Sequence, residues 1–349
     1  MNVERILIIR LSSIGDILLA SPLLRVLRRR FPQATIDFVT KSQFVDLVRT
    51  NPHLNHIYTL DTRKGRAALA HLKSTLRNES YDLVVDIHNN FRSIYLRRLP
   101  NAAVVKIQKY KFKRFLLVKL GWNVYKTITP VYQRYINTVV PFGVEDDGLG
   151  LEFFPDPEVA QQVLVDLQQR HFNARRPTIA VAAGAGFATK RWPMEYYIDV
   201  ARHFVHHHNA QLLLLGNTSE MEISNHIARS LPDAAINLTG QYSLMQSACA
   251  LNHAHLVLAN DTGLMHLATA LNKPTVAIFG PTTHELGFFP TGENVTVVEH
   301  PNLSCRPCTH IGRHTCPKGH FKCMREIEPA QVIRAAEASI SKSLLEKEL

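Results

Sequence analysis

The chain has 349 residues, 46% hydrophobic and 20% charged, with a net charge of +11. That is apolar material for two folded cores, and it excludes a disordered chain. No apolar run approaches the ~20 residues that cross a bilayer, and the charged start Met1-Asn2-Val3-Glu4-Arg5 is unlike a secretion signal, so a cytoplasmic protein is expected.

In chain order, hydrophobic periodicity predicts a strand over 5–10, a helix over 16–31, a strand over 35–40 and a helix over 42–50. Strands follow at 56–61, 81–88 and 103–108, with helical stretches at 66–77, 111–120 and 131–141. Residues 143–157, rich in Gly, Pro and acids, read as a linker. From residue 177 the alternation restarts, with strands at 178–182, 211–215, 235–238, 256–259, 275–279 and 295–298. Helices fill the intervals at 195–208, 221–229, 244–252 and 263–271, and a last one runs from Pro329 to about 345. Such alternation predicts parallel sheets wrapped by helices: an α/β protein with two Rossmann-like, doubly wound domains facing a central cleft. The expected division is a first domain at 1–150, a linker and first helix at 151–176, a second domain at 177–328, and a C-terminal helix at 329–349 packing toward the first domain.

The charge is uneven. Residues 1–135 hold 24 Lys and Arg against 8 Asp and Glu, a net +16, while the remainder nets −5. A basic half suits a polyanionic partner such as nucleic acid, an acidic membrane surface or a phosphorylated glycolipid; a solvated basic face is the plain alternative. Arg25, Arg28, Arg29 and Arg30 cluster at the end of the first helix. Lys106, Lys109, Lys111, Lys113, Arg114 and Lys119 interleave with Tyr110, Phe112, Phe115, Leu116, Leu117 and Val118, as in an interfacial membrane helix or a core-facing helix with a basic outer side.

Four turns carry the chemistry. The apolar run Leu256-Val257-Leu258 leads through Ala259-Asn260-Asp261-Thr262-Gly263 into a helix containing His266. A strand breaking into a helix through Asp-Thr-Gly presents backbone N–H groups and the positive end of the helix dipole, which suits phosphate; a plain N-cap fits the same residues. The first turn, Arg10-Leu11-Ser12-Ser13-Ile14-Gly15-Asp16, lacks Gly-x-Gly-x-x-Gly and so does not support a dehydrogenase. Asp16 at its end reads as a general base, an orienting carboxylate or an N-cap. The turn Ala183-Gly184-Ala185-Gly186-Phe187-Ala188-Thr189-Lys190-Arg191-Trp192-Pro193 adds glycines for close approach and the Lys190 charge. Gly216-Asn217-Thr218-Ser219-Glu220 ends in an acid suited to ribose hydroxyls. Together these turns describe a nucleoside diphosphate site with no evident metal cluster.

In this order, Arg10-Leu11-Ser12-Ser13-Ile14-Gly15-Asp16-Ile17, Tyr81-Asp82-Leu83-Val84-Val85-Asp86, Lys190-Arg191-Trp192-Pro193 and Asn260-Asp261-Thr262-Gly263 with His266 span nearly the whole chain. The combination resembles the lipopolysaccharide heptosyltransferases, glycosyltransferase family 9. That resemblance implies a GT-B fold with the acceptor domain first and the donor domain second. It implies inverting, metal-independent transfer of heptose from an ADP-sugar donor to the inner core of a lipid A-core glycolipid, at the cytoplasmic face of the inner membrane. Carried over by residue, Asp16 is the base, Lys190 a donor phosphate contact, Thr262 and Gly263 the pyrophosphate loop, Asp261 and His266 donor residues near the sugar, and Glu220 a further donor contact. Ser13 and Gly15 in the first turn, with Arg92, Arg97 and Arg98, are the candidate acceptor contacts, although the arginines equally fit a solvated helix face. No cofactor is required, no nucleic acid is expected, and a monomer is expected.

Cys305, Cys308, Cys316 and Cys323 form a late C-x2-C pair with two followers, a candidate structural zinc site or a set of free thiols. Cys249, alone in an apolar helix, reads as core. Two rival functions remain open here: a transferase of the same family using another nucleotide sugar, and a nucleotide- or RNA-binding module without transferase activity.

Overall fold

A computed structural model describes residues 3–345 of the chain. Two compact units result. The first holds the described residues up to Lys109 with Thr129–Phe154, and the second holds Tyr110–Ile128 with the described residues from Pro155 on. The segment Tyr110–Ile128, placed by the sequence within 1–150, therefore packs with the second unit.

In the first unit β1 (Arg5–Ile9), β2 (Thr35–Lys41), β3 (His56–Leu60), β4 (Leu83–Asp86) and β5 (Ala103–Lys106) form one sheet in the order β3-β2-β1-β4-β5, parallel throughout. The central strands show unbroken apolar runs because both faces are covered. Ile6, Leu7, Ile8 and Ile9 are all fully buried, and Ile6 and Ile8 lie in register with Leu83 and Val85. Burying each such side chain is worth roughly 1.5–3 kcal/mol, so packing outweighs intrinsic strand propensity here.

The second unit has β6 (Thr178–Ala182), β7 (Gln211–Leu214), β8 (Ala235–Asn237), β9 (Leu256–Asn260), β10 (Thr275–Phe279) and β11 (Val295–Glu299), parallel in the order β11-β10-β9-β6-β7-β8. Trp192, Tyr197, Phe204, Leu212, Leu214 and Ile278 lie in its core. In each sheet the strand order reverses once, between β1 and β4 and between β6 and β9. The connections leave those neighbours in opposite directions, so a crevice opens beyond their carboxyl ends, where ligands bind in such folds.

Several elements depart from the sequence reading for local reasons. The predicted helix 16–31 is two helices, Ile14–Leu18 and Ser21–Arg30, because Pro22 has no N–H and is tolerated only in a first turn. The stretch 42–50 tightens to a 3-10 helix, Ser42–Leu47, and 111–120 starts as an α-helix, Lys111–Phe115, that widens to a π-helix over Leu116–Leu120. The helix after the linker is Pro157–Gln169, with Asp156 as N-cap accepting from the N–H groups of Glu158 and Val159. The linker is held against the first unit up to Phe154. Arg25 donates to Asp147 through Nε and Nη2, each at 2.8 Å, and pairs with Glu152 at 2.9 Å. Arg28 donates to the carbonyls of Ala34 and His53 and to Asn55. These two arginines thus hold the fold and leave less of the basic first half for a polyanion. The last helix, Pro329–Leu345, expected to pack toward the first domain, places Val332 and Ala336 in the second unit's core; residues 346–349 of that expectation lie outside the described residues.

Candidate active site

The second unit's crevice is built from the turns after β6, β7 and β9. Lys190 Nζ lies 2.7 Å from Asp261 Oδ2, the two side chains only 14% and 7% exposed. Thr282 Oγ1 donates to the same carboxylate oxygen at 2.8 Å, fixing its orientation. Asn260 ties the two strands of the switch point together. Its Nδ2 donates to the carbonyl of Ala183 at 2.7 Å, and its Oδ1 accepts from the N–H of Trp192 at 3.2 Å. Thr262 is the N-cap of the helix Gly263–Ala270, yet its side chain makes no capping hydrogen bond and its buried Oγ1 has no partner. An N-cap Thr normally accepts from an N–H of the first turn. Here that duty is unfilled, which leaves both the hydroxyl and the N–H groups of the first turn without their usual mutual partner.

Glu220 packs over two glycines. A Cβ on Gly184 would stand 2.1 Å from Glu220 Cδ, and one on Gly216 would stand 2.7 Å from Glu220 Oε2. The missing side chains at 184 and 216 let the carboxylate sit over both turns. Its Oε2 accepts from the N–H of Asn217 at 2.9 Å. Burial lifts the Glu220 carboxyl above its ordinary value, against the opposing Asn217 N–H and Arg191 charge. His266 is buried on the helix Gly263–Ala270.

In the first unit Asp16 is held from several sides. Arg10 Nη2 pairs with Oδ1 at 2.6 Å, and Ser13 donates to Oδ2 from its hydroxyl at 2.7 Å and its N–H at 3.2 Å. Tyr135 OH approaches Oδ1 at 3.5 Å. Arg10 is itself fixed by donating to the carbonyl of Ile87 at 2.6 Å and lies over the Tyr135 ring. Burial alone would raise the Asp16 carboxyl, but the Arg10 charge and the Ser13 hydrogen bonds outweigh it and hold the group below its ordinary value. Asp16 is therefore an ionised, oriented carboxylate with 18% of its side chain open to solvent.

The candidate acceptor residues separate. Ser13 is exposed and Gly15 half-buried beside Asp16. Arg97 is engaged: its Nη1 donates to the buried Asp86 at 2.9 Å and to Asn89 at 3.2 Å. Arg92 and Arg98 are exposed. Arg10, Asn260 and Thr282 acquire roles that the sequence reading left unassigned. Arg10 and Asn260 stood within quoted motifs, but only the fold shows that they face Asp16 and Ala183.

The four late cysteines are unbridged thiols. Burial raises the Cys308 thiol and pushes Cys323 up to about 12. Cys305 Sγ lies 3.8 Å from His320 Nε2. Among the described residues the trio with ligand atoms all within 4.8 Å of one another is His203, His208 and Glu337, while the four late cysteines lie near enough to one another for their charges to interact. Their segment also folds onto the Lys190 turn. The N–H and hydroxyl of Thr189 donate to the carbonyl of Arg313 at 3.1 and 3.0 Å, and the rings of Phe187 and His314 meet at 5.5 Å.

Two doubly wound units, the second with Lys190, Asp261 and a helix N-terminus at its switch point, are the architecture of the GT-B proteins. The sequence model of glycosyltransferase family 9 (heptosyltransferase) matches residues 69–318. Lipooligosaccharide heptosyltransferase 2 of Haemophilus ducreyi is 30% identical over 299 residues, covering 80% of this chain and 84% of that protein. The crystal structure of a family 9 glycosyltransferase from Veillonella parvula superposes with a TM-score of 0.81 at 23% identity, covering 98% of this chain and 99% of that one. The E. coli ADP-heptose LPS heptosyltransferase II superposes at 0.74 with 22% identity, covering 97% and 99%. The chain belongs to glycosyltransferase family 9, the heptosyltransferases. It is accordingly an enzyme of glycosyl transfer.

Proposed function

We propose that the chain moves heptose from ADP-L-glycero-D-manno-heptose to the lipopolysaccharide inner core, onto Kdo or the first heptose, with inversion and without a metal ion. The observation that carries this reading is Thr262, whose hydroxyl is withheld from capping beside the buried Lys190–Asp261 pair. A donor diphosphate seated there accepts from that hydroxyl, from the N–H of Gly263 and from Lys190. These groups balance the charge that develops on the departing ADP, the task a divalent ion performs in other transferases. Glu220 receives the ribose hydroxyls, and Asp261 and His266 contact the sugar.

In this reading the first unit receives the acceptor. Asp16 takes the proton of the acceptor hydroxyl as its oxygen bonds to the anomeric carbon from the face opposite the leaving diphosphate. Ser13 and Gly15 leave room for that hydroxyl, Arg92 and Arg98 meet the acceptor's phosphates and acidic sugars, and Arg97, tied to Asp86, positions the loop. The enzyme works as a monomer, peripherally, on the cytoplasmic face of the inner membrane. Among the described residues no helix is long and apolar enough to cross a membrane. The E. coli relative, an ADP-heptose LPS heptosyltransferase, supports this choice of donor and acceptor.

Calorimetric titration with ADP, GDP and UDP in the presence of EDTA tests the donor half. Selective ADP binding is expected. Preference for GDP or UDP would replace the donor while keeping the fold.

A further inference from the structure

The segment Tyr110–Ile128 stands out from the rest of the chain. It holds Phe112, Phe115, Leu120, Trp122 and Val124, which are 73%, 53%, 49%, 64% and 41% exposed. Large apolar side chains this open to water and this close in sequence mark a contact surface. The same segment carries Lys111, Lys113, Arg114, Lys119 and Lys126, and the sequence has no Asp or Glu anywhere from 87 to 144.

The segment is folded and anchored. Leu117 is buried, and the N–H of Trp122 donates to the carbonyl of Leu116 at 3.1 Å, closing the end of the π-helix. Lys113 lies 5.3 Å from the Tyr110 ring and 5.7 Å from the Tyr125 ring, which meet edge to face. Asn123 Nδ2 donates to Glu285 Oε1 at 3.0 Å, tying the segment to the body of the second unit. Phe112 and Phe115, three positions apart on the helix Lys111–Phe115, share one side of it. The apolar groups are thus displayed by a structure that does not use them.

We propose that this segment docks the enzyme on an anionic bilayer surface. Phe112, Phe115, Leu120, Trp122 and Val124 enter the boundary between headgroups and acyl chains, while Lys111, Lys119 and Lys126 pair with lipid phosphates. Trp and Phe beside lysines is the composition that settles at that boundary. Single-stranded nucleic acid also takes aromatic and basic residues, but Leu120 and Val124 offer a base nothing to stack on. The proposal deepens the reading of a lipid-borne acceptor by naming the surface that meets the membrane. Vesicle binding needs neither donor nor acceptor, so the two can fail separately.

Trp122 is a built-in probe, since the other tryptophan, Trp192, is 1% exposed. The full chain is mixed with vesicles of equal parts phosphatidylglycerol and phosphatidylethanolamine, or of phosphatidylcholine alone. The expected result is a blue shift of Trp122 emission and quenching by acyl-brominated lipid with the anionic vesicles only, both absent in Trp122→Phe. The variant Phe112→Ser/Phe115→Ser/Leu120→Ser should partition at least roughly tenfold less. Lys111→Gln/Lys119→Gln/Lys126→Gln should lose most of the binding and most of its salt dependence. Both should keep the wild type's ADP affinity, which shows that they are folded. No shift in the wild type, equal partition of wild type and variants, or salt-sensitive binding to single-stranded RNA in place of vesicles would each overturn the proposal.

Discussion

The Lys190 ammonium and the Asp261 carboxylate, 2.7 Å apart, join the turn after β6 to the turn after β9 across the switch point of the second sheet. The pair is almost fully buried, so each charge depends on the other. Removing one partner of such a pair typically costs about 3–5 kcal/mol, because the survivor is left uncompensated. Lys190→Met should therefore lower the melting temperature and weaken ADP binding together, and bound ADP should stabilise the variant less than the wild type. Differential scanning calorimetry with and without ADP reads both effects. Wild-type ADP affinity in this variant would remove Lys190 from the phosphate site.

Thr262→Val separates ligand binding from helix capping. Replacing a working Ser or Thr cap typically costs about 1 kcal/mol of stability, but the Thr262 hydroxyl caps nothing. The melting temperature should stay within error of the wild type. ADP affinity should fall about tenfold, the weight of one hydrogen bond to a charged group. A destabilised variant with unchanged ADP affinity would show the hydroxyl to be a cap after all.

Asp16→Asn keeps the shape of the first-unit site and removes the base. Transfer should fall by about 10²–10⁴, the range that general-base catalysis supplies, with ADP affinity unchanged. The Arg10 charge and Ser13 hydrogen bonds hold the Asp16 carboxyl low, so the acid limb of kcat/KM should lie below the usual carboxylate range. Arg10→Gln removes the charge that favours the carboxylate and should move that limb to higher pH. An unmoved limb would show that another group titrates.

His88 makes a stability prediction. Burial, with the charges of Arg10, Lys109 and Lys41 against that of Asp16, pushes its imidazole down to about 3, and Asn90 Nδ2 lies 2.6 Å from its Nε2. The unfolded chain binds this proton near pH 6.5 and the folded chain does not. Stability tied to His88 is thus complete above about pH 6.5 and is lost as pH falls toward 3, at about 1.4 kcal/mol per pH unit. Urea unfolding from pH 7 to 5 should show a shallower decline in His88→Gln than in the wild type. Parallel declines would mean that other groups set the acid sensitivity.

Much of this architecture was legible in the sequence, because strands buried on both faces leave unbroken apolar runs such as Ile6-Leu7-Ile8-Ile9, and most runs were followed by a helical period. The turns at 10–16, 183–193, 216–220 and 260–263 could be located because each follows an apolar run and opens a helix, although the same Asp and Thr residues serve equally as N-caps. What stayed hidden depends in part on contacts distant in sequence. That Arg10 is fixed by Ile87 and that Asn260 bridges to Ala183 follow from the neighbouring of β1 with β4 and of β6 with β9. The Arg10–Asp16 and Arg97–Asp86 pairs instead each depend on the path of a single strand-to-helix connection. The break at Pro22 was a local signal outweighed by the apolar period running through it. The placement of Tyr110–Ile128 with the second unit is a tertiary fact that no local pattern carries.

The most direct test of the central claim is transfer itself. Purified enzyme, ADP-heptose and inner-core acceptors ending in Kdo or in the first heptose are combined in EDTA, and the products are weighed by mass spectrometry. Heptose should be added to one of these acceptors, with inversion at its anomeric carbon read from the NMR coupling of the purified product, and the addition should fall sharply in Asp16→Asn. Active enzyme that leaves both acceptors unchanged with ADP-heptose, yet glycosylates them from a UDP- or GDP-sugar, would contradict it.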